Sequence, residues 1–518
     1  MNAIVLCYAG HLSSWAFAPA LNGKSAFDLA LENAAAFPCA REIALFVRDD
    51  LCQPLPQAVV PASGGAALPV RVVRAPEWNT RVFFAELSRA DTGFDCSYLV
   101  WADCPFLDTA LAALLFARHQ AYPAEYTYAD GWPYGLAPEL FAPGVLGVLA
   151  KLNADAEDYV ERDAVFSVLQ KDINSFDIET EIAPEDLRAY RVQLCADSRR
   201  NVLLLNRFLD AGYSGYADAA RVIAQGGIVR TLPAYYAVQV ARDCPHDCGY
   251  CPYPRVRPAE AVEYMVAADF ERILDAIAAF SEDAVVSFSL WGEAAGHPAV
   301  ERLIGAVLER PGFSLVVETS GVGWNDGVLA ACAANFASLP RRHAGIEALS
   351  WVVSLDAATA EQYAALRGPA AQWEAARACA ERLIALFPKS AYVQAVRRKG
   401  NEDDIEAFYK HWKAKTANVI VQKYDTFCAL LPDMRAADIS PVTRDLCWHL
   451  ARDMYILLDG TVPVCREQSV VPDGAPGNIF RDTLAEIWER AAPLHQQHCL
   501  KNWRGLCADC DEYYTFNF

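Results

Sequence analysis

Residues 235–251 read YYAVQVARDCPHDCGYC. The first half is an apolar, aromatic and β-branched run of the kind that forms a buried strand. Directly after it come three cysteines, Cys244, Cys248 and Cys251, spaced Cys-x3-Cys-x2-Cys. Three is an odd number for a metal site. A closed zinc site takes four protein ligands, and so does an ordinary iron–sulfur cluster. Either a fourth ligand comes from elsewhere, or one metal position is left open. His246 between the cysteines offers a zinc knuckle as the alternative, although two residues after Cys244 is poor zinc-finger spacing.

Working outward, five more apolar runs follow: AVVSFSLWGE (284–293), SLVVETSG (314–321), LSWVVSLDA (349–357), SAYVQAVR (390–397) and NVIVQKYD (418–425). Helical segments separate them, VAADFERILDAIAAF (266–280) being the clearest amphipathic one. Six βα repeats predict a partial (β/α)6 barrel over residues 230–430, with the cysteine loop at the carboxyl end of its first strand, where barrel enzymes place their sites. From residue 431 the repeat is lost. The tail is rich in Cys, Trp, Pro and Asp and reads as a small metal-stapled domain, 431–518. Residues 1–215 alternate strands (AIVLCYA, EIALFV, VRVVRA, SYLVWAD) with helices (KSAFDLALENAAAF, LDTALAALLFARHQAY). That pattern predicts a separate, GT-A/Rossmann-like α/β domain, with Asp103 at a strand's carboxyl end.

The cysteine spacing, Tyr250 before the last cysteine and the six repeats resemble the radical S-adenosylmethionine (SAM) superfamily. The resemblance implies three thiolates on three irons of a [4Fe-4S] cluster, with the fourth iron open to the amino and carboxylate groups of SAM. It implies reductive cleavage of SAM to a 5′-deoxyadenosyl radical that abstracts hydrogen from the substrate, and a flavodoxin- or ferredoxin-type electron donor. Trp291-Gly292-Glu293 resembles the family's Gly-Gly-Glu element, with a Trp in place of the first Gly, and Glu318-Thr319-Ser320-Gly321 is similar to a common variant of the third strand end. Tyr250, Gly292, Glu293, Ser320, Ser354 and Arg367 are thereby expected at SAM, and Asp356 is a further candidate; a strand-end or helix-cap role is the structural alternative.

Cys447-x12-Gly460-x4-Cys465, followed by Cys507-x2-Cys510, resembles a shortened SPASM (twitch-like) domain, and so does the surrounding stretch CWHLARDMYILLDGTVPVCREQ…GNIFRDTLAEIWE. That implies one auxiliary [4Fe-4S] cluster closed by four thiolates, with zinc as the alternative. Gly460 is expected to turn a hairpin that brings Cys447 and Cys465 together. Where SPASM enzymes that modify peptides place an Asp base after the second cysteine, this chain has Arg466 and then Glu467, a substitute base. Cys499, near His495 and His498, reads as a non-ligand.

The N-terminal residues AIVLCYAG, Gly23-Lys24 and WADCPFLD resemble sugar-nucleotide cytidylyltransferases and other nucleotidyltransferases. The resemblance implies Lys24 at a nucleotide phosphate and Asp103 on Mg²⁺, but the loop YAGHLSSWAFAPALNGK lacks the expected Gly-x-Gly-x-Arg. The domain therefore reads as a degenerate scaffold or recognition module before an active transferase. The three-part combination resembles the spiro-SPASM proteins. It leaves a peptide, protein or sugar-nucleotide substrate open, with peptide or protein first. A Mg-dependent nucleotidyltransferase or nucleotide-sugar-modifying enzyme with structural cluster domains is the alternative function, and a zinc-bearing binding protein is a third.

The bulk properties agree. The 518 residues carry a formal charge of -20, which argues against nucleic acid as a partner. Met1 opens directly into apolar sequence, no run approaches the ~18 residues of a membrane span, and a cytoplasmic location is expected. Seventeen cysteines in an acidic chain of this kind point to metal before disulfides. The scattered ones (Cys7, Cys39, Cys52, Cys96, Cys104, Cys195, Cys332, Cys379, Cys428) read as inert core thiols.

Overall fold

A computed structural model describes residues 1–256, 263–342 and 345–515. The chain divides into two compact units, Met1–Thr231 and Leu232–Phe518.

The first unit is built on an eight-stranded sheet. Its strands are β1 (Ala3–Ala9), β2 (Ala40–Arg48), β3 (Ala58–Val59), β4 (Leu68–Ala75), β5 (Cys96–Trp101), β6 (Tyr126–Asp130), β7 (Glu139–Phe141) and β8 (Ile178–Ile182). Their order is β3-β4-β2-β1-β5-β7-β6-β8. The centre, β4-β2-β1-β5, is parallel, whereas β7 runs antiparallel to both its neighbours. Every residue of β1 is buried, and the strand shows why. Ala3, Val5, Cys7 and Ala9 face one apolar layer, while Ile4, Leu6 and Tyr8 face another. A central parallel strand covered on both faces has to be apolar throughout. The expected helices form at Ala26–Ala34 and Thr109–Ala121, capped by Ser25 and Asp108.

The second unit carries the six expected barrel strands: β9 (Tyr235–Val238), β10 (Ala284–Ser287), β11 (Phe313–Thr319), β12 (Leu349–Ser354), β13 (Ala391–Arg397) and β14 (Val419–Lys423). All neighbours run parallel. Alternate residues split between two layers. Tyr236, Val286, Leu315, Trp351 and Val393 pack in the large cluster with the helices, and Tyr235, Val285, Val316 and Val352 form a smaller cluster on the opposite face. One strand was not expected. β15 (Asp453–Ile456) from the C-terminal tail pairs parallel with β9, making seven strands in the order β14-β13-β12-β11-β10-β9-β15. The tail is therefore part of the same compact unit as the barrel. Gly460 makes the expected turn at φ +82°, closed by Leu457 N–H donating to Thr461 O at 2.9 Å. The arms do not form the expected two-stranded hairpin with each other. β15 is claimed by β9, and β16 (Thr461–Val462) pairs instead with β17 (Gly477–Asn478). No helix among the described residues is long and apolar enough to cross a membrane.

Candidate functional site

The loop after β9 is held from two sides. Asp247 N–H donates to Arg367 O at 3.3 Å and Gly249 N–H to Leu366 O at 3.2 Å, at the end of the helix Ala360–Leu366. From the other side, Glu293 N–H donates to Asp243 O at 2.7 Å. Here Gly292 adopts φ +85°, and a Cβ on it would lie 2.0 Å from Ala241 O. Only glycine allows that approach. The turn after β10 therefore sits directly on the backbone that carries Cys244, Cys248 and Cys251. Burial pushes the Cys244 and Cys251 thiols up to about 12 and raises Cys248 as well. Thiolates in such a setting form only with a compensating cation, which is the chemistry of a metal site.

The other residues expected at SAM gather around this loop. Glu293 Oε1 accepts from Thr319 Oγ1 at 2.6 Å and its Oε2 from Ser320 N–H at 2.7 Å. Ser320 Oγ accepts from Val322 N–H at 3.2 Å, a local turn. Arg367 is buried and pairs with Asp356 at 2.5 Å; its Nη1 also donates to the Tyr250 hydroxyl at 2.5 Å, and Tyr250 donates to Asp356. Arg367 Nε has no hydrogen-bond partner. At the end of β12, Ser354 Oγ donates to Glu318 Oε1 at 3.2 Å.

The second set of cysteines lines the same cavity. That cavity, about 370 Å³, is bordered by Cys244, Cys248 and Cys251 and also by Cys447, Cys465, Cys507 and Cys510. Burial raises Cys447, Cys465 and Cys507, whereas Cys510 is lowered, chiefly by a hydrogen bond from Cys428. Cys428 is the residue that sequence reasoning misplaced. It is no scattered core thiol: it stands beside Cys510, on a run where Phe427, Cys428 and Ala429 take φ of 49°, 53° and 66°. Three consecutive left-handed non-glycine residues mark a strained segment held by its surroundings. Its position just past the last barrel strand is the signal that could have found it. Cys499 stays apart, its Sγ 3.8 Å from His495 Nδ1.

Charged residues line the same cavity. Arg466 pairs with Asp425, lies 3.3 Å from Glu467 Oε1 and 4.0 Å from Glu512. Lys423 pairs with Glu512 and, at 3.3 Å, with Asp511. Burial raises the Glu467 carboxyl well above the usual range against the pull of Arg466, and its Oε2 has no hydrogen-bond partner.

Four thiolates around one Zn²⁺ at about 2.3 Å must lie about 4 Å from one another. Among the described residues, the groups of three or more Cys, His, Asp or Glu whose ligand atoms lie within 4.8 Å are Asp103–Cys195–Asp197 and Asp425–Asp511–Glu512. Neither cysteine set is among them. The adjoining cavity and the unpartnered Arg367 Nε fit a cluster with a polar ligand beside it. His246, the alternative zinc ligand, packs edge-on against Tyr363 with ring centroids 6.1 Å apart.

In the first unit Asp103 is buried, but a guanidinium already holds it. Arg162 Nη2 donates to Asp103 Oδ2 at 2.6 Å, Nη1 to Oδ1 at 3.2 Å, and Nη2 reaches Asp197 at 3.3 Å. The same guanidinium lies over Trp101 and Tyr134, 4.9 and 5.1 Å from their centroids. Lys24 pairs with Glu32 at 2.6 Å on the surface.

Comparison with known proteins places this architecture. The chain belongs to the radical SAM superfamily: that superfamily's profile matches residues 238–411, and a profile for the SPASM iron–sulfur cluster-binding domain matches 447–511. It is a radical SAM enzyme with a [4Fe-4S] cluster that works with SAM and an auxiliary iron–sulfur cluster. An uncharacterized protein of Treponema pallidum (strain Nichols) is 38% identical over 362 residues, 68% of this chain and 98% of that protein. A second one from the same organism is 35% identical over 94 residues, 17% of this chain and 43% of the other. Among solved structures, Streptococcus suis SuiB bound to the precursor peptide SuiA aligns at TM-score 0.43 and 14% identity, over 68% of this chain and 82% of that one. A cytidylyltransferase from Leptospira borgpetersenii aligns at TM-score 0.34 and 14% identity, over 43% of this chain and 93% of that one.

Proposed function

We propose that Cys244, Cys248 and Cys251 hold the SAM-binding cluster, that Cys447, Cys465, Cys507 and Cys510 hold the auxiliary one, and that the cavity between them takes a peptide or protein substrate for hydrogen abstraction. The single observation that carries this reading is that both cysteine sets border one cavity at the carboxyl ends of parallel strands. When bound, the cluster and SAM supply one-electron reductive cleavage of a carbon–sulfur bond and a carbon radical able to take hydrogen from an unactivated C–H bond.

The chain's own residues bind, orient and shield. The Gly292 turn presses on the cysteine loop and fixes its position. Glu293, anchored by Thr319 and Ser320 N–H, keeps a buried carboxylate at the edge expected for the SAM amino group. The Tyr250–Asp356–Arg367 triad locks the aromatic residue of the loop and holds a guanidinium at the cavity wall. Tyr455 and Phe427 line the cavity and exclude water from it. Glu467, with Oε2 unengaged at the cavity, is the group placed to exchange a proton with the substrate. The peptide or protein assignment rests on the SPASM domain. A Mg²⁺-dependent nucleotidyltransferase reading finds less support, because Arg162 already neutralises Asp103.

The test is 5′-deoxyadenosine formation by the anaerobically reconstituted protein with dithionite and SAM. The wild type should form it, and a Cys244/Cys248/Cys251→Ala variant should form none. Equal yields from the two would refute the assignment of the SAM cluster.

A further inference from the structure

We infer that Glu318 is a substrate-anchoring carboxylate, and that the substrate presents an alkylammonium group to it. The inference rests on the radical SAM reading of the cavity and narrows its substrate class.

Glu318 lies at the end of β11, one residue before its last, and lines the cavity. Two neutral side chains, one on β12 and one on β13, build its setting. Ser354 Oγ on β12 donates to Oε1 at 3.2 Å, Gln394 Nε2 on β13 donates to the same oxygen at 3.0 Å, and Gln394 Nε2 also reaches Ser354 Oγ at 3.1 Å. Both protein donors converge on Oε1. Among the described residues, Oε2 takes no protein hydrogen bond and no ion pair reaches the carboxylate.

The charges around it sharpen the contrast. No cation lining the cavity forms an ion pair with Glu318, although Arg466 and Arg367 pull its carboxyl down at longer range. Arg367 is held by Asp356, Lys423 by Asp511 and Glu512, and Arg466 by Asp425 and Glu467. Arg444 lies over Trp503 and Tyr513, at the Cys507 end. Burial raises the Glu318 carboxyl, the mark of a charge that the protein solvates poorly. A buried carboxylate without a counter-ion in direct contact is costly, and a ligand cation that pairs with it recovers that cost and is thereby selected. The neutral Ser and Gln orient the carboxylate without neutralising it, which preserves its preference for a positive partner. An anionic or purely apolar group would leave it unpaired. A lysine side chain or a peptide amino terminus has the required chemistry. SAM also carries an ammonium and a sulfonium, so the experiment has to separate the two sources.

The SAM-loaded holoenzyme with both clusters is titrated with n-butylammonium, butan-1-ol and butyrate at constant ionic strength, and thermal midpoint, SAM affinity and 5′-deoxyadenosine yield are recorded. n-Butylammonium should raise the midpoint saturably while butan-1-ol and butyrate leave it unchanged. Glu318→Gln should abolish the shift and leave the SAM dissociation constant within about twofold of wild type. The wild-type comparison among the three probes stands even if the variant folds poorly. Equal responses to the three probes, or a Glu318→Gln variant that weakens SAM about tenfold and keeps its response to n-butylammonium, would overturn the inference. Absence of 5′-deoxyadenosine from the wild type would instead fall on the radical reading itself.

Discussion

At the scale of single residues, the site depends on a few contacts that tolerate no substitute. Gly292 is the sharpest. A methyl group there meets a backbone oxygen, which cannot swing aside as a flexible side chain would. Gly292→Ala should cost a few kcal/mol and displace the cysteine loop, so the variant's iron content should fall while Cys447–Cys510 keep their share. An unchanged iron content would show that the turn does not position the loop. Arg162 makes a different case. Its guanidinium fills the space between Asp103 and Asp197 that a divalent cation would need. Wild-type protein should bind no Mn²⁺ there, whereas Arg162→Ala should create a Mn²⁺ site detectable by electron paramagnetic resonance and lost again with Asp103→Asn. Glu139 carries a pH signature. Burial lifts its carboxyl to about 7 despite the 2.7 Å hydrogen bond from Tyr126. Its folded value lies above the ordinary one near 4.3, so its contribution to stability is complete below about pH 4.3 and is lost as pH rises through about 7. Glu139→Gln should remove that share of the decline in thermal midpoint across this window, and parallel wild-type and variant curves would contradict the assignment.

At the scale of elements, the βα repeat was legible because its strands are long apolar runs separated by amphipathic helices, and both signals are local. The turn at Gly460 was legible for the same reason. The partner of each arm was not. β15 pairs with β9 across more than two hundred residues of sequence, and four residues, Asp453–Ile456, carry too little pattern to announce it. Cys428 was missed because its four apolar or polar neighbours resemble those of any core thiol. It lies on the left-handed run at 427–429 and hydrogen-bonds Cys510. Asp103 was legible as a strand-end carboxylate, but Arg162 lies 59 positions later, and no local pattern links the two. Gly460 offers the element-scale test. A Cβ there would lie 2.4 Å from Phe480 Cδ2, at a positive φ. Gly460→Ala should cost about 1–3 kcal/mol and misplace Cys465 relative to Cys447, so the auxiliary cluster should be lost and SAM binding at the first cluster retained. Loss of both clusters together would mean that the turn supports the whole unit.

At the scale of the whole molecule, both cysteine sets and the cavity belong to the single unit Leu232–Phe518, closed by β15 into the barrel sheet. The central claim is two clusters with separate ligand sets around one cavity. Iron and sulfide content after anaerobic reconstitution tests it most directly. The account predicts about eight irons per chain, and about four in each of two variants, Cys244/Cys248/Cys251→Ala and Cys447/Cys465/Cys507/Cys510→Ala, with SAM cleavage lost in the first. Zinc in place of iron, or one set of substitutions removing all the iron, would contradict it.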